Sequence, residues 1–284
     1  MHRNRHYIGY FTKSIQSWLY FGIKFHILPS KPYPMLPLST LQGIVAQQPH
    51  PLLFATISGA HLYGFPSSDS DWDLRGVHVL PLTQVLGLTQ VPETIEVSAA
   101  QGDLELDLVT HDIKKFFSLL LKRNGYVLEQ LYSPLVVHTN SNHEQLKCIA
   151  QGCITRYHSH HYLGFAKTQW RFFSKTTPHS VKPLLYVYRV LLTGIHLMQT
   201  GEVEANLNTL NQKFQLSCIP ELIERKQVGG EQVALAAVDM AFHQGEYERL
   251  TQVLEQASQV SHLPSESSAQ PALHDLLLQI RIAK

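Results

Sequence analysis

The chain has 284 residues, 44% of them hydrophobic, with 23 Lys and Arg against 22 Asp and Glu and a formal net charge of +1. That supports one large domain or two modest ones with a sizeable core. It argues against a strongly basic nucleic-acid binder, though a local basic groove survives the averaging. Cys148, Cys153 and Cys218, with no secretory signal before them, speak against a disulfide framework and for a reducing, cytoplasmic setting. No second Cys/His pair accompanies Cys148 and Cys153, as a structural zinc site requires.

Residues 1–34 read as an upstream extension or an appendage, because Met35 and the Leu-Pro-Leu-Ser-Thr after it resemble a natural start. Within them, Ile15 to Leu28 is too short and too interrupted by polar residues to cross a membrane. Pro51 to Ile57 is a short apolar run stopped by Ser58-Gly59, which predicts a buried strand. A tight segment follows to Ser70, and Asp71 to Val79 alternates at period two, predicting a second strand. Thr94 to Val97 and Leu104 to Val109 flank Gln101-Gly102 as a strand pair.

Next comes a helix capped by Thr110, with Ile113, Phe116, Phe117, Leu120 and Leu121 on its apolar face and Asn124-Gly125 at its end. A short helix over Val127 to Leu131 stops at Pro134. Beyond about residue 140 the pattern turns helical, over Tyr162 to Phe173, Pro183 to Gln199, Val233 to His243 and Tyr247 to Ala257. Residues 258–271 are rich in Ser, Gln and Pro and read as a linker before a last helix from about Leu273 to Ile282. Strands first and helices after predict an α+β architecture. The expected divisions are 1–34 (extension), 35–140 (a domain built on a mixed sheet), 141–258 (a helical domain) and 259–284 (linker and C-terminal helix).

The chemistry concentrates in Ser58-Gly59-Ala60-His61-Leu62-Tyr63-Gly64 and Ser70-Asp71-Trp72-Asp73-Leu74-Arg75-Gly76-Val77. Residues two apart on a strand share a side, so Asp71 and Asp73 present two carboxylates together. Such a pair raises its own pKa unless a cation lies between, and Mg²⁺ suits an all-oxygen site. A turn at Gly59 can aim backbone N–H groups at a phosphate. Asp103, Glu105 and Asp107 share a face of a nearby strand, and Asp107 lies nearest the following helix. A third carboxylate there would allow two metals about 3.5–4 Å apart and in-line displacement at phosphorus, or accept a proton from a hydroxyl.

Blander readings exist. Asp-x-Asp is often a solvated strand face, and alternating acids at 103–107 also suit an exposed hairpin edge. A Ca²⁺ loop fails because Leu74 and Leu80 stand where glycine and glutamate are required. A sugar-nucleotide transferase has only the Asp-x-Asp in its favour. His158, His160 and His161 lack a partnering acid and read as partly buried polar residues. Glu129, among Val127, Leu128 and Leu131, reads as a structural acceptor.

Gly-Ser, a short spacer and Ser-Asp-x-Asp-Leu is the signature of polymerase β-like nucleotidyltransferases, and the two segments together resemble it. The longer string, with Asp107-Leu108-Val109, Lys114-Lys115-Phe116, Val127 to Pro134 and Lys182 to Arg189, resembles the branch of predicted bacterial nucleotidyltransferases associated with RNA repair. The resemblance covers roughly residues 50–235. It implies a nucleoside triphosphate substrate, two divalent ions (Mg²⁺ or Mn²⁺) on Asp71, Asp73 and Asp107, and transfer of a nucleoside monophosphate to a nucleic acid end or a protein hydroxyl. Ser58, Gly59, Ala60, Gly64 and Ser70 are then expected at the nucleotide, with Lys182 and Arg189, two helical turns apart, on its triphosphate tail.

The sequence departs from the family pattern at Ala60, where the family's triphosphate-contacting serine would stand. The loss is worth about 0.5–1.5 kcal/mol for one hydrogen bond, up to about 3 if charge-assisted. It favours the alternative of a non-catalytic nucleotide-sensing or antitoxin-like module. The retained acids favour an enzyme.

Overall fold

The computed structural model describes residues 37–101, 104–230, 233 and 240–282, the side chains of 99–101 and 104 excepted. The expected extension at 1–34, the turn glycine Gly102, Asp103 and most of the segment before Met240 lie outside the described residues. In chain order the elements are α1 (Leu38–Ala46), β1 (Leu52–Ile57), α2 (Gly59–Tyr63), β2 (Trp72–His78), α3 (Leu82–Leu86), β3 (Thr94–Gln101), β4 (Leu104–Asp112), α4 (Ile113–Leu121), α5 (Gly125–Tyr132), β5 (Val136–His138), α6 (Ser141–Ala150), α7 (Ser159–Lys175), α8 (Val181–Thr200), α9 (Leu207–Phe214), α10 (Cys218–Gly229), α11 (Met240–Val260) and α12 (Gln270–Ile282). The α+β expectation holds, with strands early and helices late. None of the helices among the described residues is long and apolar enough to cross a membrane.

The five strands form one mixed sheet in the order β3-β4-β2-β1-β5. β1 pairs antiparallel with β2 and β5, β3 antiparallel with β4, and β2 parallel with β4. Two cores fix which side each residue takes. Leu74 of β2 and Leu106 and Leu108 of β4 pack with Leu41 and Val45 of α1 in a small core. Val77 of β2 and Leu53 and Phe54 of β1 join a larger core that runs on through the helices to Leu276 of α12. Helices therefore cover both faces, and among the described residues α1 is the helix on the smaller side. The odd-numbered positions of β2 share the face of the larger core, which puts Asp73 and Arg75 there.

Several helix ends differ from the sequence reading. Asp112, not Thr110, caps α4: its carboxylate accepts from the Lys114 N–H at 3.0 Å, while Thr110 stays on the strand and bonds His78 Nδ1 at 2.9 Å. Asn124 opens α5 rather than closing α4, since its side chain accepts from the Tyr126 N–H. Gly201 ends α8, as its position predicts.

The stretch expected as a linker is packed down. The Arg156 N–H donates to the Pro264 carbonyl and the Ser268 N–H to the Gly152 carbonyl, each at 3.0 Å. The last helix docks as well. Arg281 grips both Asp112 oxygens at 2.6 and 2.7 Å and also donates to the Leu80 carbonyl. That pair is almost fully buried.

Breaking a buried ion pair strands the remaining charge and costs about 3–5 kcal/mol. Asp112 keeps its bonds from the N–H groups of Leu80 and Lys114, so Arg281→Met should cost about 3 kcal/mol, read as a lower denaturant midpoint. Adding Asp112→Asn should recover part of it. An unchanged midpoint would show that this ion pair contributes nothing to stability.

Burial lowers His78, His143, His158 and His161 to about 4. A histidine in the unfolded chain titrates near about 6.5. As pH falls through this window the unfolded state binds protons first, so the stability these groups contribute is complete above the window and lost towards its lower end. The melting temperature should drop steeply between those limits, and His143→Gln with His158→Gln should flatten the drop. A profile unaltered by the double substitution would contradict neutral burial of these rings.

Candidate active site

β1 stops at Ile57, and the Ser58 N–H donates to the Asp73 carbonyl at 2.8 Å, so the turn after β1 is stitched to the start of β2. Gly59 takes φ +59, a conformation that side chains rarely adopt. A methyl group there would also lie 2.6 Å from Asp73 Cγ and collide with Oδ2. Glycine is thus required twice, by the backbone and by the carboxylate beneath it. α2 then runs one turn to Gly64, whose carbonyl accepts from Asn208 Nδ2 of α9 at 2.6 Å.

On the parallel β2–β4 pair, Asp73 stands directly opposite Asp107. Both acids lie on the face away from Leu74, Leu106 and Leu108, with Asp71 just before β2. Arg75 spans the two carboxylates: Nη2 donates to Asp73 Oδ1 at 2.7 Å and to Asp107 Oδ2 at 3.1 Å. Its Nε donates to the Tyr126 hydroxyl of α5 at 2.9 Å. Asp73 is the more sheltered acid, its side chain 21% exposed against 37% for Asp107. Burial pushes its carboxyl above the ordinary range; Arg75 opposes this, Asp71 and Asp107 add to it, and Lys182 at the start of α8 opposes it.

The other expected nucleotide contacts divide. Lys182 lies close enough to Asp73 for its charge to favour the carboxylate. Arg189 does not reach it: both terminal contacts go to Glu129, at 2.7 and 2.8 Å, within the core, and its guanidinium lies 3.9 Å over the Tyr63 ring. The two-turn spacing failed as a guide because α8 is buried on nearly every side, so a residue two turns on from Lys182 enters the core. Glu129 is structural, as its apolar neighbours suggested.

Ser70 braces the loop before β2. Its Oγ accepts from the Ser67 N–H at 3.0 Å and from Lys226 Nζ at 3.3 Å. Ala60 packs into the larger core. Ser58 is fully buried, and its Oγ finds no hydrogen-bond partner among the described residues.

Sequence reasoning missed Arg75, Tyr126 and Lys226. The sole signal for Arg75 was its place two residues beyond Asp73, on the same side of the strand. Lys226, fully buried on α10, stands in a run of charged residues that reads as a solvated face.

Among the described residues, no group of three or more His, Cys, Asp or Glu forms a ready-made metal cage. The donor chemistry nonetheless suits a hard divalent cation: three carboxylates, two of them in register, one desolvated and repelled by the other two.

Acids so placed beside a glycine turn resemble the site of polymerase β-like nucleotidyltransferases. Residues 37–279 match the RNA repair pathway DNA polymerase beta family, RlaP, and the chain belongs to that family. It is 33% identical to an uncharacterized protein of Methanocaldococcus jannaschii over 159 residues, 55% of this chain and 64% of that one. It is 27% identical to the uncharacterized protein YcgL of Bacillus subtilis over 217 residues, 74% of this chain and 82% of that one. The chain thus spans just under two thirds of the archaeal relative. A solved structure of a nucleotidyltransferase-like protein from Exiguobacterium sibiricum covers 87% of this chain and 79% of its own, at 12% identity and a TM-score of 0.31, too loose a likeness to bear on the site.

Gly59→Ala should separate the turn from Asp73. We expect a folded protein with a lowered melting temperature, because alanine is strained at this positive φ and its methyl meets Asp73, and at least about tenfold weaker triphosphate binding by calorimetry, about 1.4 kcal/mol. Undiminished binding would mean that the nucleotide does not use this turn.

Proposed function

We propose that the protein transfers a nucleoside monophosphate from a nucleoside triphosphate to the terminal hydroxyl of a nucleic acid. The observation that carries this reading is the register of Asp73 against Asp107 beneath the Gly59 turn. The family's description, with its RNA repair pathway, favours an RNA end over a protein hydroxyl as acceptor.

In this reading the triphosphate lies against the backbone N–H groups after Gly59, with Lys182 helping to balance its charge. Asp71, Asp73 and Asp107 would hold Mg²⁺ or Mn²⁺, which would supply positive charge to the phosphoryl oxygens. Asp107, the more open carboxylate, takes the proton of the acceptor hydroxyl. The hydroxyl oxygen forms a bond to the α-phosphorus as the α–β bridging bond breaks. Pyrophosphate leaves in line with the attacking oxygen.

A second reading is a non-catalytic nucleotide-binding module on the same fold. Arg75 favours it, because a guanidinium already lies between two of the acids, and so does the alanine at position 60.

Incubating the protein with each labelled triphosphate, Mg²⁺ or Mn²⁺ and either RNA or total protein tests both. We expect label on RNA together with released pyrophosphate, and a loss of more than about a thousandfold in Asp71→Asn with Asp73→Asn, on the scale of removing a main electrostatic contribution. Label on protein would replace the acceptor. Measurable triphosphate affinity with no pyrophosphate from any combination would establish the binding module instead.

A further inference from the structure

Arg75 is held more completely than an ordinary surface ion pair. A guanidinium carries five N–H donors, and every one is engaged. Nε donates to the Tyr126 hydroxyl at 2.9 Å, Nη1 to the Leu74 carbonyl at 2.8 Å and the Asp107 carbonyl at 2.7 Å, and Nη2 to Asp73 Oδ1 at 2.7 Å and Asp107 Oδ2 at 3.1 Å. Three of these five bonds end on groups other than carboxylates. The guanidinium therefore keeps its anchorage whatever approaches the acids, and it keeps its charge too, because arginine does not deprotonate in proteins.

From this we infer that Arg75 is a resident counter-cation of the carboxylate site, and that the protein binds one divalent ion, on Asp71 and Asp73, where three acids alone would accommodate two. The inference rests on the reading of Asp71, Asp73 and Asp107 as a metal site. Two geometric facts give it direction. Arg75 takes one oxygen from each in-register acid, Oδ1 of Asp73 and Oδ2 of Asp107, and so fills the bridging position between them. The other Asp73 oxygen, Oδ2, is the one against Gly59. Asp73 thus turns its remaining oxygen toward the Gly59 turn, and Asp71 lies near enough to add to the repulsion on its carboxyl. The charges agree in direction: three carboxylates with Arg75 and Lys182 sum to −3 + 2 = −1, which a single divalent ion already outweighs.

The purely structural alternative is that Arg75 only fastens β2 to β4. The two roles differ in sign. Losing a fastener loosens the acids and weakens metal binding, whereas losing a counter-cation exposes an uncompensated acidic cluster and strengthens it. Arg75 is in either case a positioning residue, acting through the carboxylates.

The test is Mn²⁺ binding to the full chain, counted by loss of the free-ion paramagnetic resonance signal. Wild type and Arg75→Lys, which keeps the charge, are expected to take up one ion, while Arg75→Gln takes up two, the first at least tenfold tighter than in wild type. Two ions on wild type, or an Arg75→Gln affinity equal to or below wild type, would overturn the inference. Should Arg75→Gln fail to fold by circular dichroism, the wild-type and Arg75→Lys counts decide alone: one ion on each supports the inference, and two on either overturns it. Asp71→Asn with Asp73→Asn must lose the ion. If it binds Mn²⁺ as wild type does, the metal reading of these acids is what has failed, whatever Arg75 does.

Discussion

Carboxylates on neighbouring strands repel each other, and the fold nevertheless places Asp73 squarely beside Asp107. What enforces this is the parallel pairing of β2 with β4, held over seven consecutive residue pairs from Trp72–Leu106 to His78–Asp112. The pairing is itself dictated by apolar residues. Leu74, Leu106 and Leu108 must meet Leu41 and Val45 of α1 on one side, while Val77 must enter the larger core on the other. A slip of one residue would drive Asp73 and Arg75 into the α1 core and put leucines on the open face. The acids therefore need no favourable interaction of their own to be positioned; the hydrophobic pattern positions them, and Arg75 neutralises part of the resulting repulsion.

The buried Arg189–Glu129 pair extends the same logic to the helices. Desolvating both charges offsets much of their attraction, so such a pair adds little net stability. What it does is join α5 to α8 at one point. α5 supplies Tyr126, which receives the Arg75 Nε–H, and α8 supplies Lys182, which acts on Asp73. A shift between these helices would move both partners of the carboxylate pair at once. Tyr63, stacked on Arg189, connects the joint back to α2 and the Gly59 turn.

Much of the fold and the heart of the site were legible in the sequence. Period-two alternation at Asp71 to Val79 gave β2 and its acidic face, the apolar run ending at Ser58-Gly59 gave β1, and the same-face acids of 103–109 gave β4. Edges were less legible. Val136–His138 is a three-residue strand with no room for a pattern, and the Ser-, Gln- and Pro-rich stretch after 258 looked like a linker because its packing depends on single contacts such as Leu263 and Ala269 in the larger core. Asp112 outcompeted Thr110 as a cap because β4 runs three residues beyond its apolar run and brings the carboxylate, not the hydroxyl, to the α4 N-terminus.

Cations were the least legible class, for a physical reason. Periodicity reports where apolar residues go, but a lysine or arginine reads as solvated until its partner is known, and the partner is usually far away in sequence. Arg189 finds Glu129 sixty residues before it, Arg281 finds Asp112 across 169, and Lys226 reaches Ser67 across 159. Each of these cations is engaged inside the protein, which changes the electrostatics expected of the nucleotide pocket. With Arg189 committed to Glu129 and Arg75 to the acids, Lys182 is the expected phosphate ligand that still acts at the site. A triphosphate brings several negative charges, so most of its compensation has to come from backbone N–H groups at the Gly59 turn and from a divalent ion. Under the proposed function, such a pocket would bind the nucleotide with its metal or scarcely at all, which would tie substrate affinity to the carboxylates rather than to the absent hydroxyl at Ala60.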